Sequence, residues 1–227
     1  TTPTERIYSN EIVSEWAIPN AAKIICAGLA CVDMQLNSAT GGDGGEGIET
    51  FEGEKSIGGG SVSMACKTLA RLSHGEASPP VVSTVTPLCM VGNDDTGTKL
   101  ISLLESSGSA SQNVDTRVIK GYGKNNPSSR TALAVLPIYQ DGRRGCFFDA
   151  ASNDKFTTEQ LMEMVQGLSH KGTYGGLLFG YPHLLPHMQG QSLARFFQLT
   201  RSMMADGGIT SASAGSFPFL QRRWAHG

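Results

Sequence analysis

The chain has 227 residues, enough for one large domain with a sizeable core, or for one domain with a small appendage. Apolar residues make up 39% and charged residues 17%, an ordinary balance for a globular protein, and the net charge of −2 with no Lys/Arg-rich run argues against a nucleic-acid partner. No apolar run approaches the ~20 residues that span a bilayer.

The sequence opens at Thr1 without Met and without an apolar signal region, which reads as a trimmed or partial start; residues 1–22 are expected to be an N-terminal extension. Lys23 to Leu29 is a short apolar run ending near Gly28, the pattern of a buried first strand. Asp33 follows just past it. Ser38 to Gly47 is rich in Gly and Asp and predicts a loop, and Glu49 to Ile57 alternates weakly, as a small strand would. Gly58, Gly59 and Gly60 come next, a backbone without Cβ that a ligand can approach closely. Val62, Ala65, Cys66, Leu69 and Leu72 then recur at helical spacing. A glycine turn opening a helix directs unpaired N–H groups at whatever occupies it. Taken alone, the same residues also describe a strand-to-helix turn that simply needs glycine.

Val81 to Val91 is a second β-type run, which Pro87 marks as a sheet edge or strand end. Asn93, Asp94 and Asp95 read first as a helix start, with Leu100, Leu103 and Leu104 as the apolar stripe and Gly108 as the stop. Thr131 to Tyr139 and Gly145 to Phe148 predict paired strands joined at Asp141-Gly142. Asn153 and Asp154 sit where a loop would lead into a helix, and Thr157 to Gln160 reads as a capping box for a helix carrying Leu161, Met164, Val165 and Leu168. Leu177 to Gly180 predicts another buried strand, and Gln189 to Met204 a helix. Strands separated by such helices form a largely parallel sheet, whose ligands sit at the strands' carboxyl ends. That places Asp33 and the Gly58–Gly60 turn at a candidate pocket.

Other motifs carry less. Gly42 to Gly47 fits G-x-G-x-x-G but has no strand before it and two acids within it, which disfavour a dinucleotide. His183 and His187 are broken up by Pro182 and Pro186, so no metal pair is expected. The five cysteines form no C-x-x-C pair, and four lie in apolar surroundings, which points to a reducing, cytoplasmic setting.

In order and spacing, residues 23 to 206 resemble the N-terminal part of a PfkB-family (ribokinase-like) carbohydrate kinase. The resemblance rests on the first strand with Gly28 and Asp33, the glycines running into a helix that ends Ala-Arg-Leu, the Gly92 to Gly97 segment, the Asp-Gly-Arg-Arg hairpin and the Asn153-Asp154 pair. It implies an α/β three-layer sandwich with a small β-lid over residues 38 to 57. It also implies a sugar held by Asp33, Gly58, Gly59, Gly60, Ser61, Ser63 and Asn153, ATP and Mg²⁺ as cofactors, and a homodimer through the lid. From the residues alone, Asp33 is as readily a turn or N-cap aspartate, and Asn153 part of a helix-entry loop.

Two departures qualify it. The family's usual Asn after the glycines is replaced here by Ser61-Val62-Ser63-Met64, which weakens that contact or moves it to a serine hydroxyl. No Gly-Ala-Gly-Asp turn, the family's anion hole and catalytic base, occurs in the 227 residues. Residues 207–227 read as a divergent tail and the C-terminal half of the fold as missing; a gene-model artefact, a splice product and true loss each fit. The expectation is a carbohydrate kinase relative that is incomplete and inactive as this chain, with no catalytic residue assigned. The alternative is a non-catalytic sugar-binding or dimerisation module derived from the same fold.

Overall fold

The computed structural model describes residues 22–40, 50–72, 82–107, 114–124, 130–168 and 173–213. The chain builds two four-stranded sheets. The main sheet contains β1 (Ala22–Gly28), β4 (Val82–Leu88), β7 (Tyr174–Gly180) and β8 (Met204–Ser213), in the order β4-β1-β7-β8, all parallel. The second sheet contains β2 (Cys31–Ala39), β3 (Gly53–Gly59), β5 (Leu133–Tyr139) and β6 (Phe147–Asp149), in the order β3-β2-β5-β6. There β2 pairs antiparallel with β3 and parallel with β5, while β5 and β6 are antiparallel.

Alternation along β1 explains how the main sheet sits between layers. Successive side chains of a strand point to opposite faces. Ile24 and Cys26 join a core with Val62, Cys66 and Ala70 of α1 (Gly60–Leu72) and with Leu100 and Leu104 of α2 (Asp95–Glu105). Ile25 and Ala27 join the opposite core, with Leu177 and Phe179 of β7, Leu161 and Met164 of α5 (Thr158–Gln166) and Phe196 of α6 (Gly190–Arg201). Two short helices, α3 (Arg117–Lys124) and α4 (Ser152–Lys155), and a 3-10 turn over Pro182–Leu184 complete the described elements. A strand buried on both faces needs the continuous apolar run that Lys23 to Leu29 displays.

Several expectations hold. The capping box at Thr157 and Gln160 forms in both directions. Asp94 is the N-cap of α2. Pro87 lies in β4, at an edge of the main sheet. The Asp141-Gly142 turn joins β5 to β6, with Gly142 at φ +84.

Other elements differ from the sequence reading. Cys31–Ala39 is a strand, so Asp33 lies within it, and Ser38 and Ala39 are strand residues. The alternation of Val32, Met34 and Leu36 with Asp33, Gln35 and Asn37 is the period-two signal that the polar residues obscure. The expected lid segment therefore supplies little more than β3 to the second sheet, with most of β2, β5 and β6 adding the rest. The helix expected over Gln189 to Met204 stops at Arg201, and Met204–Ser213 pairs with β7 as a strand. Helices α3 and α4 have no counterpart in the sequence reading. Residues 1–21, the loop core 41–49, Gly108 and the segment 214–227 lie outside the described residues.

Candidate functional site

The site forms where three connections meet at the carboxyl end of β1. Leu29 and Ala30 carry the chain from β1 into β2, Gly59 and Gly60 carry it from β3 into α1, and Ser152-Asn153 opens α4. Gly60 adopts φ +77, and a Cβ there would stand 2.6 Å from the Leu29 carbonyl oxygen, so the turn admits only glycine without rearrangement. The Val62 N–H donates to that same carbonyl at 3.1 Å, which pins the first turn of α1 to the β1–β2 connection.

Asp33 lies on β2, and Cys31, two residues earlier, pairs with Gly59 across the β2–β3 ladder. The Asp33 carboxylate rests on the α-carbon of Gly59, where a Cβ would come within 2.0 Å of Oδ1. The Cys31 thiol donates to Oδ1 at 3.2 Å. Burial lifts the Asp33 carboxyl above the usual carboxylate range, and the Cys31 hydrogen bond and the Arg144 guanidinium pull it only part of the way back. The Cys31 thiol is itself pushed far up, by burial first and by the Asp33 charge second. It acts as a hydrogen-bond donor, not as a nucleophile.

Asn153 is fully buried, at 0% exposure. Its Nδ2 donates to the Ala30 carbonyl at 3.0 Å, while Oδ1 has no partner among the described residues. Ser152 fixes this short helix from below, its N–H donating to the Arg130 carbonyl at 2.9 Å and its hydroxyl to the Met90 carbonyl at 3.4 Å. Ala151, just before it, holds φ 43 and ψ −110, a conformation that L-residues adopt rarely and that the surroundings must enforce. Among the described residues the buried Asn153 amide oxygen thus has no hydrogen-bond partner.

The two serines of α1 separate. Residues two apart on a helix project about 200° from each other. The Ser61 hydroxyl donates to the Leu29 carbonyl at 3.3 Å and packs against Gly180 of β7. Ser63 is buried, its unpartnered hydroxyl lying against Gly58 on the side where Leu103 of α2 also packs. The structure thus gathers Asp33, Gly59, Gly60, Ser61 and Asn153 around the β1–β2 connection and turns Ser63 toward α2.

Asp94 belongs to the scaffold. Its carboxylate accepts from the Gly97 N–H at 2.8 Å, the Thr131 hydroxyl at 2.6 Å and the Thr131 N–H at 2.9 Å. Burial works to raise its pKa, but the three hydrogen bonds outweigh that and hold it below the usual range. Thr131 also accepts from the Gly92 N–H at 2.8 Å, so the start of α2 and the chain entering β5 form one knot. Among the described residues no group of three His, Cys, Asp or Glu side chains could hold a metal ion.

No protein-family model matches the sequence, and no curated protein matches it. Solved structures do match. A candidate ribokinase II from E. coli in complex with ATP and Mg²⁺ is 16% identical, with a TM-score of 0.61 over 90% of this chain and 56% of its own. Arabidopsis thaliana ribokinase complexed with ribose and ATP is 16% identical, with a TM-score of 0.55 over 87% of this chain and 55% of its own. The ATP-bound fructokinase from Xylella fastidiosa is 19% identical, with a TM-score of 0.55 over 88% and 54%. The fold is ribokinase-like, and the chain spans a little over half the length of these structures.

Proposed function

We propose that this chain carries the sugar-binding portion of a ribokinase-like carbohydrate kinase, with the second sheet as a lid over the site. The observations that support the reading are a half-buried carboxylate, Asp33, against Gly59, and the unpartnered buried oxygen of Asn153, whose Nδ2 bonds the β1–β2 connection at Ala30. Asp33 accepts hydrogen bonds from vicinal sugar hydroxyls, Asn153 Oδ1 accepts another, and the glycine backbone of residues 58–60 lets the ring approach. Ser61 stands at the rim, and Ser63 supports Gly58 from behind.

ATP and Mg²⁺ would be the co-substrate and ion of such a kinase, as in the E. coli structure. The described residues offer no metal-ligand set, and the proposed sugar contacts require neither. The partners are a small sugar and no nucleic acid. No described helix is long and apolar enough to cross a membrane. All five cysteines are free, which supports a cytoplasmic setting.

Isothermal titration against a panel of pentoses and hexoses tests the site. Measurable affinity for at least one sugar is expected, and Asp33→Ala should abolish it; an unchanged affinity in that variant would remove Asp33 from the pocket. The lid also offers an assembly surface. Among the described residues β3 is an edge strand of the second sheet, and Phe147 on β6 is 68% exposed. A homodimer through this sheet follows from the same reading, and light scattering showing a monomer at micromolar concentration would count against it.

A further inference from the structure

Two aspartates of this chain are held in opposite ways. Asp94 takes its hydrogen bonds from N–H and hydroxyl donors, at 2.8, 2.6 and 2.9 Å, and so spends most of its acceptor capacity on the fold. Asp33 is reached by a thiol, a weak donor, at 3.2 Å from Sγ to Oδ1. The ladders show what surrounds it. Asp33 pairs with Ile57 of β3 and Ala134 of β5, and Ala134 pairs with Phe148 of β6. Residues paired across a ladder share a face, and side chains two apart return to it. Cys31 therefore lies on the face of Asp33, one step nearer the β1–β2 connection, and is only 3% exposed. Its own pair across the ladder, Gly59, has no side chain to hold the carboxylate that rests on it. Lys55, Cys146 and Arg144 fall on the same face farther out.

We propose that Cys31 is the positioning residue of the site: its thiol fixes the Asp33 carboxylate through Oδ1 and leaves most of that carboxylate's acceptor capacity for ligand hydroxyls. The proposal rests on the reading of Asp33 as a sugar acceptor. Without a donor here, the carboxylate would lose its anchor on β2. A stronger donor would hold it harder and draw it further toward the ionised form. Burial, the largest influence, pushes the Asp33 carboxyl up, while the Cys31 hydrogen bond and the Arg144 guanidinium pull it down. The thiol keeps its own proton, because burial and then the Asp33 charge both oppose its ionisation.

The test compares the parent with Cys31→Ala, which removes the donor, and Cys31→Ser, which strengthens it. Carbon-13 NMR follows the Asp33 carboxyl across pH, its resonance assigned by its loss in Asp33→Asn. Calorimetry measures binding of the pentose and hexose panel, D-ribose and D-fructose included. Losing a hydrogen bond to the ionised form raises the titration midpoint, and strengthening it lowers the midpoint. The midpoints should therefore run Cys31→Ala, parent, Cys31→Ser from highest to lowest pH, in steps of roughly half to one pH unit. For a sugar that binds the parent, affinity at neutral pH should fall about 5-fold or more in Cys31→Ala and be kept within about 3-fold in Cys31→Ser. A midpoint that moves in neither variant overturns the proposal. So does affinity lost in Cys31→Ala with an unmoved titration, which would make Cys31 a direct sugar contact. If Cys31→Ala unfolds, Cys31→Ser decides, and a midpoint at or above the parent's refutes the assignment. Should no sugar bind the parent while the ordered titration is seen, the sugar reading falls and the hold of Cys31 on Asp33 stands.

Discussion

Replacing Asp33 by Asn removes a charge that burial disfavours and keeps the shape of the side chain. Its folded-state pKa is raised, so protonation favours the folded form, and Asp33's contribution to stability grows as pH falls through that raised value. Asp33→Asn is therefore expected to melt at the same temperature as the parent or higher at neutral pH. Sugar affinity should fall by at least ~10-fold, since hydrogen bonds to a charged acceptor contribute ~1.5–3 kcal/mol. In the parent, affinity should be lost on acidification above the pH at which an ordinary aspartate protonates. Calorimetric titration across pH, beside melting curves, reads both; a destabilised Asp33→Asn with normal affinity would make Asp33 structural. The adjacent glycines give a second contrast. A Cβ at Gly59 meets first the carboxylate end of Asp33, whereas one at Gly60 meets the Leu29 backbone at positive φ. Gly59→Ala should thus cost binding with under ~1 kcal/mol of stability, the scale of an off-rotamer side chain. Gly60→Ala should cost ~1–2 kcal/mol, the penalty for a Cβ in the left-handed region, whatever it does to binding. These positions were visible in the sequence because glycine and a carboxylate beside a strand end are local signals. The orientation of Ser63 was not, since only the helix phase set by Gly60 decides which serine faces the pocket.

Element α2 is tied to the second sheet through Asp94. Removing its carboxylate in Asp94→Ala uncaps the helix and strands the Thr131 hydroxyl and N–H, so a loss of ~2 kcal/mol is expected from a cap worth ~1 kcal/mol plus a buried bond. Asp94's folded pKa is lowered, so its stabilisation is complete above the unfolded carboxylate value and fades as pH falls through the folded one. Denaturant melts of parent and variant should therefore converge in acid; an equal gap at neutral and strongly acid pH would mean that the carboxylate charge is irrelevant. The Asp94 cap and the Thr157 box were legible because caps are written in three or four adjacent residues. β2 and β8 were not. In β2 the polar half of the alternation hides the apolar half. In β8 the stretch from Met204 to Ser213, with two glycines and three small polar or alanine residues at its end, is a strand only because β7 supplies the partner.

At the scale of the whole molecule, the parallel main sheet and its two cores follow from apolar runs spaced by helices, and they carry the likeness to ribokinase and fructokinase structures. The meeting of Asn153 with Ala30 across 123 residues is a product of that topology and could be reached in the sequence only through family resemblance. The last prediction concerns what the assembled site does. Phosphoryl transfer rests on groups that position the γ-phosphate and stabilise its developing charge. The proposed site supplies acceptors for sugar hydroxyls, no Gly-Ala-Gly-Asp turn occurs in the 227 residues, and the described residues form no metal-ligand set. Sugar binding and sugar phosphorylation should thus separate in this chain. A sugar that binds should raise the melting temperature in proportion to its occupancy, by RT ln(1 + [L]/Kd) in free energy, because only the folded site holds it. The same sugar with ATP and Mg²⁺ should give no ADP release above background in a coupled assay. With Leu178 and Ile209 exposed, low solubility is expected. Sugar-stimulated ADP release that Asp33→Ala abolishes would show that the catalytic groups are present in these residues, and that binding and chemistry share the site around the β1–β2 connection.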